Sequence, residues 1–320
     1  MGLAVREMFG SHWAELSERS IFQRCRSSRL MYSALFNRLG SSTACGNAIR
    51  ADILACAEAN NIDLLLIDGV FDPWLQVSHY TSCMKVFVHL PYSNQCGIDD
   101  APNNIIFLSP EAFEIPDAKI PGANYTEPAL YLGRYALSTA GEFPSTITDS
   151  LVYCSLGAQL ESYPDSFNIF RSMMDAAALM CGKQFIINAG SYSAQLSALA
   201  RSENVSVLSF VPHPDVLPRT SVAVIHGGFG SIKECIFFGV PMIVIPKLWD
   251  QPRNAERIQF HHLGTSLNPS ELSGHSLATA IKQVSGDVLI EQCLSKMRRI
   301  FRDAQAEQKT AALLEARMAR

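Results

Sequence analysis

Short apolar runs rich in β-branched residues alternate along the chain with longer segments whose apolar positions recur every three to four residues. That is the pattern of buried parallel strands joined by amphipathic helices. In the first half, "IDLLLIDG" (62–69), "KVFVHLP" (85–91) and "NIIFLSP" (104–110) predict strands, with helices predicted over "CGNAIRADILACAEANN" and "DPWLQVSHYTS". The Pro-, Asn- and Gly-rich stretch 92–135 reads as surface loops approaching a linker. From Leu151 the alternation becomes regular. "LVYCSLGAQ", "KQFIINAG", "NVSVLSFVP", "VAVIHGG" and "PMIVIP" predict strands, and "SFNIFRSMMDAAALMC", "QLSALARS", "GSIKECIFFG" and "NAERIQFHHLG" predict the helices around them. The chain after Ser270 reads as amphipathic helix that packs on the sheet or returns to the first half. The predicted class is α/β, a parallel doubly wound domain whose ligand crevice lies beyond the strand carboxyl ends.

Length and charge narrow the function. At 320 residues with 48% hydrophobic content, the chain suits two domains, divided near "GRYALSTAGEFPSTITDS" into 1–143 and 144–320. A formal net charge of -4 supplies no broad cationic surface for nucleic acid or anionic lipid. Nine cysteines are scattered singly without a C-x-x-C, which favours reduced core thiols and a cytoplasmic setting. No apolar run reaches the length of a membrane span, so no integral membrane segment is expected, and a protein partner is left open. No D-x-D or compact His, Asp and Cys set points to a metal.

The stretch "VIHGGFGSIKECIFFGVPMIVIP", Val224 to Pro246, holds the candidate chemistry. His226 ends a predicted strand, Gly227 and Gly228 turn the chain, and Gly230-Ser231 opens a predicted helix. Amide groups at a helix start attract an anion, and missing side chains let a diphosphate approach the backbone. Glu234 stands three residues beyond Ser231. It has two readings: a capping box with Ser231, or a carboxylate accepting from two vicinal ribose hydroxyls. The spacing matches neither the dinucleotide G-x-G-x-x-G fingerprint nor the G-K-[ST] ending of a P-loop.

The longer run "FVPHPDVLPRTSVAVIHGGFGSIKECIFFGVPMIVIPKLWDQPRNAERIQFHHLG", Phe210 to Gly264, resembles the donor-binding signature of the UDP-glycosyltransferase superfamily, glycosyltransferase family 1. The resemblance implies a GT-B fold of two Rossmann-like domains, the carboxy-terminal one holding a UDP- or dTDP-sugar and the amino-terminal one a small hydroxylated apolar acceptor. It implies no cofactor besides that donor substrate. It also implies that Phe210 lies near the base, that His213 lies beside base and ribose, and that His226 and Ser231 contact the diphosphate at the Gly228 and Gly230 turn. Glu234 would hold the ribose hydroxyls and Asp250-Gln251 the hydroxyls of the transferred sugar, while "LVYCSLGAQ" would bring Ser155 and Gly157 near the nucleotide. Each position also has an ordinary structural reading: Phe210 as core, Asp250 as a helix cap, and His261-His262 as a helix-end pair.

Inverting transfer of a hexose or deoxyhexose needs a base at the acceptor hydroxyl and stabilisation of the departing diphosphate. In the resembled family the base is a histidine after the first strand, oriented by an aspartate at a later strand end. "LLLIDG" makes Asp68 the candidate orienting carboxylate, with a structural turn as its other reading. No strand, turn and base histidine precede it in recognisable form, so the amino-terminal domain is expected to be incomplete. His12, His79 and His89 are the remaining histidines on that side, and His89, at the end of a predicted strand, is the one to test as a base. Two functions follow: a glycosyltransferase, or a catalytically impaired homologue that binds a nucleotide sugar or a partner.

Overall fold

The computed structural model describes residues 104–130, 150–157, 160, 163, 165–200 and 202–318, with the strand backbones 65–68 and 83–87 and a few helical positions between 50 and 58. His12, His79, His89 and most of the predicted linker lie outside the described residues.

Two parallel sheets result. The first joins β1 (Leu65–Asp68), β2 (Cys83–Phe87), β3 (Ile105–Phe107) and β4 (Asn124–Tyr125) in chain order. Asp68 pairs with Val86 at the carboxyl ends of β1 and β2. The second sheet holds β5 (Leu151–Ser155), β6 (Gln184–Asn188), β7 (Val205–Leu208), β8 (Thr220–Ile225), β9 (Met242–Val244) and β10 (Gly264–Ser266), in the order β10-β9-β8-β5-β6-β7. Counted from its own first strand, that is the 3-2-1-4-5-6 order of dinucleotide folds, with the reversal between β5 and β8. A crevice for a ligand therefore belongs after Ser155 and Ile225.

Period-2 alternation explains how the sheet is covered. Leu151 and Tyr153 of β5, Ala223 and Ile225 of β8, and Met242 and Val244 of β9 face one core. Val152, Cys154, Val222, Val224, Ile243 and Ile245 face the other. The second core is closed by α1 (Ser166–Ala178) through Ile169, Phe170 and Met173, and by a later helix, Gly274–Val284, through Leu277 and Ile281. Between those helices come α2 (Ser193–Leu199), α3 (His213–Val216), α4 (Phe229–Phe238) and α5 (Gln251–Phe260), which makes the later helix α6. Then follow α7 (Val288–Glu307) and α8 (Lys309–Met318), separated at Gln308, whose φ is 50°.

The first core is closed by α4 and α7, and also by the first half of the chain. Ile105, Phe107 and Phe113 pack into it with Phe229, Ile232, Leu294 and Phe301. The Phe113 ring stacks on Phe229 and meets Phe301 edge-on, both at 5.8 Å between centroids. The carboxy-terminal helices do return to the first half: Thr310 N–H donates to Glu127 Oε2 and Thr310 Oγ1 bonds Thr126 Oγ1, each at 3.0 Å. Burial pushes the thiol pKa values of Cys154 and Cys235 upward, so both are protonated core residues. Among the described residues no helix is long and apolar enough to cross a membrane.

Candidate functional site

The glycines around His226 have steric causes. A Cβ added at Gly157 would lie 2.3 Å from His226 Cε1, and one added at Gly228 would lie 2.3 Å from His226 Nε2. The imidazole therefore lies between two backbone turns, one after β5 and one after β8, at the point where the strand order reverses. Gly157 also has φ +75°, a left-handed conformation that side chains resist, and Ser155 Oγ supports that turn by accepting from the Gly157 N–H at 3.2 Å. At Gly227, φ is +90° and a Cβ would approach Val244 Cγ1 to 2.7 Å. Gly230 is exposed, and a Cβ there would meet nothing within 4 Å.

Helix α4 begins one residue earlier than expected. Gly228 is its N-cap, with no side-chain cap bond, and the first helical hydrogen bond runs from Ile232 N–H to Gly228 O at 3.2 Å. By helix geometry the N–H groups of Phe229, Gly230 and Ser231 have no acceptor within the helix, and they open beside the exposed Gly230. The capping box between Ser231 and Glu234 does not form. Glu234, 2% exposed, instead places Oε2 at 2.5 Å from His213 Nδ1. The His213 ring lies edge-on to Tyr153 at 5.4 Å, and the Tyr153 hydroxyl accepts from Asn188 Nδ2 at 3.2 Å. Phe210 follows β7 and is 50% exposed, so the core reading does not apply to it.

On the other flank, Asp250 and Gln251 are buried where α5 starts. Asp250 caps no backbone N–H with its side chain; its Oδ2 accepts from Asn254 Nδ2 at 2.9 Å. Gln251 Oε1 accepts from the backbone N–H groups of Lys247 at 2.9 Å and Leu248 at 3.1 Å, while its Nε2 donates to the Tyr163 hydroxyl at 2.6 Å. The acceptor oxygen of Gln251 is thus filled by the loop, leaving one amide N–H for a ligand. Lys247 Nζ pairs with Asp165, and Trp249, at φ 57°, stands 52% exposed beside this pair.

Four residues of this region were not singled out from the sequence: Glu114, Tyr163, Asn254 and Arg257. Arg257, wholly buried, donates from Nε to Glu114 Oε1 at 2.7 Å and from Nη2 to Glu114 Oε2 at 3.0 Å. Its Nη1 donates to Asn254 Oδ1 at 3.1 Å. A signal was available, because Asp250, Asn254 and Arg257 are spaced as one face of a helix. Read alone, such a polar stripe suggests solvent.

His261 is the C-cap of α5, yet its Nε2 donates to Phe113 O at 3.0 Å, outside the helix. Asp68 is the last residue of β1. A cavity of about 800 Å³ opens elsewhere, between residues 110–126 and the α7–α8 pair, away from both strand-end turns.

Residues 172–312 match the family described as erythromycin biosynthesis protein CIII-like, C-terminal domain. The uncharacterized UDP-glucosyltransferase YdhE of Bacillus subtilis (strain 168) is 30% identical over 156 residues, covering 48% of this chain and 38% of the relative. The chain thus spans well under two thirds of that relative's length. Among solved structures, the glycotransferase of kitacinnamycin superposes with a TM-score of 0.72 at 20% identity, over 92% of this chain and 84% of the other. Spinosyn rhamnosyltransferase SpnG complexed with thymidine diphosphate gives 0.64 at 16% identity, over 91% and 84%. At these identities the two structures speak for the fold. With the strand order, the comparisons lead to one conclusion: the chain has a GT-B-like fold, and its residues 172–312 match the erythromycin biosynthesis protein CIII-like C-terminal domain family.

Proposed function

We propose that this protein transfers a hexose or deoxyhexose from a UDP- or dTDP-sugar to a hydroxyl of a small apolar acceptor, with inversion at the anomeric carbon. The observation that carries the reading is the His226 imidazole held between the Gly157 and Gly228 turns at the strand-order reversal, beside the start of α4. Two diphosphate-binding devices coincide there: backbone N–H groups of a helix start carrying about half a positive charge, and an imidazole donor.

The diphosphate lies over Phe229, Gly230 and Ser231, where the open space beside Gly230 admits it. Glu234, braced by His213, accepts from the ribose hydroxyls, so His213 acts on the ribose through its carboxylate partner. Phe210 offers an exposed ring to the base, and base stacking contributes about 1–3 kcal/mol. Asp250 accepts from the sugar hydroxyls and Gln251 adds its remaining N–H. As the bond to the sugar breaks, negative charge grows on the diphosphate and the same amides and imidazole stabilise it. On the acceptor side, His89 is the base to test and Asp68 the carboxylate that would orient it. The SpnG neighbour is a rhamnosyltransferase complexed with thymidine diphosphate, which supports the deoxyhexose and dTDP options here.

Titration of the full chain with UDP and dTDP, followed by an acceptor screen read by mass spectrometry for a hexose or deoxyhexose increment, tests the reading. Saturable nucleotide binding and a mass increment are expected. Binding without any increment would leave a nucleotide-sugar-binding homologue, and no binding would remove the donor site.

A further inference from the structure

We infer that Glu114, Arg257 and Asn254 form a positioning chain that holds the Asp250 carboxylate at the donor-sugar end of the crevice. A residue of the amino-terminal half thereby governs how the carboxy-terminal half grips its sugar. The inference rests on the donor-site reading above and extends it to residues that touch no donor.

The chain has a polarity imposed by chemistry. A guanidinium has donors and no acceptor, so Arg257 Nη1 must face the carbonyl end of Asn254, and it does, at 3.1 Å. That fixes the amide the right way round. Its Nδ2 then donates to Asp250 Oδ2 and to Gly227 O, both at 2.9 Å. A flipped Asn254 would turn its carbonyl oxygen toward a carboxylate and toward a backbone carbonyl, two contacts between acceptors. Arg257 is in turn oriented by the two-pronged grip of Glu114, at 2.7 and 3.0 Å. Exposures of 0% for Arg257 and Asn254 and 3% for Glu114 keep these groups away from bulk solvent. The same amide reaches Gly227, next to His226, so one side chain ties the sugar flank to the diphosphate turn.

Stability alone does not account for the arrangement. A buried ion pair generally contributes no more than well-packed apolar residues of the same volume, because desolvating two charges offsets their attraction. What an apolar replacement could not supply is the orientation of Asn254.

The test compares two ligand classes on the full chain. UDP, dTDP, UDP-glucose and dTDP-glucose are titrated into wild type, Asn254→Ala, and the double variant Glu114→Gln with Arg257→Met, which removes both charges of the buried pair together. A positioning role predicts that the double variant weakens the sugar nucleotide about tenfold relative to the matching diphosphate, whose own affinity changes less than about twofold, and that Asn254→Ala, which also releases Gly227 O beside His226, weakens both ligands but the sugar nucleotide about tenfold more. A merely structural role would move both ligands together or only the melting temperature, and an unchanged ratio in either variant overturns the chain. If wild type bound none of the four ligands, the donor-site reading would itself fall. Binding by wild type with unaltered ratios in the variants would remove the positioning chain alone.

Discussion

His213 Nδ1 lies 2.5 Å from Glu234 Oε2, joining the short helix after β7 to the buried side of α4. The pair fixes the Glu234 carboxylate in one orientation. Glu234→Ala should weaken nucleotide diphosphate binding by about 1.5–3 kcal/mol, the range for a hydrogen bond to a charged group. His213→Ala should cost less, and the double variant should cost less than the two singles added, because the residues act through one contact. Calorimetric titration of the four proteins checks this; strictly additive losses would mean that His213 acts independently.

The histidine cradle predicts a rescue. Gly228→Ala should destabilise the protein, because the new Cβ meets the imidazole at 2.3 Å, and adding His226→Ala should restore the melting temperature. Gly157→Ala should be rescued only in part. Its φ of +75° carries a further strain of about 1–2 kcal/mol that removing the ring does not relieve. Thermal melts of the two single and two double variants separate the terms.

Gln251 has more structural work than its place in the family signature suggests. Gln251→Ala leaves the Lys247 and Leu248 N–H groups and the Tyr163 hydroxyl without their partner and should destabilise the chain by about 1–3 kcal/mol. Tyr163→Phe should cost less, since the Gln251 carbonyl keeps both backbone donors. Denaturant unfolding gives both values, and equal losses would place the weight on the tyrosine.

Half-buried His261 supplies a pH signature. Burial holds its pKa below the ordinary value near 6.5, against opposing pulls from the Phe113 carbonyl and Glu114. The unfolded chain therefore takes up a proton near pH 6.5 while the folded chain does so only at lower pH. Stability must fall as pH drops through that window. Melting temperatures at pH 7.5 and 5.5 should differ more for wild type than for His261→Asn, and identical differences would show that His261 does not titrate this way.

Local features were legible in the sequence and distant ones were not. The runs "LVYCS", "FIIN" and "AVI" are short, β-branched and flanked by turns, and each became a central strand. Asn124–Tyr125 and Gly264–Ser266 escaped notice because they are short edge strands, half-buried and without an apolar run. The break at Gln308 carried no glycine or proline to announce its left-handed φ. In the site, the strand-end glycines could be read because their neighbours are close in sequence. Glu114 and Arg257 are separated by 143 positions, and nothing local in "AFEIPD" marks its glutamate as buried. The Ser231 to Glu234 spacing did match a capping box, but the helix starts at Phe229, and a long-range histidine took the carboxylate.

The packing of Phe113, Glu114, Thr126 and Glu127 against α4, α5, α7 and α8 bears on how the protein comes apart. These contacts bridge across residues 131–149 without using them. A chain nicked anywhere in that interval should therefore behave as two fragments that remain associated through elution on a sizing column. Expressed as separate polypeptides, residues 1–140 and 141–320 should reassemble into a complementing pair.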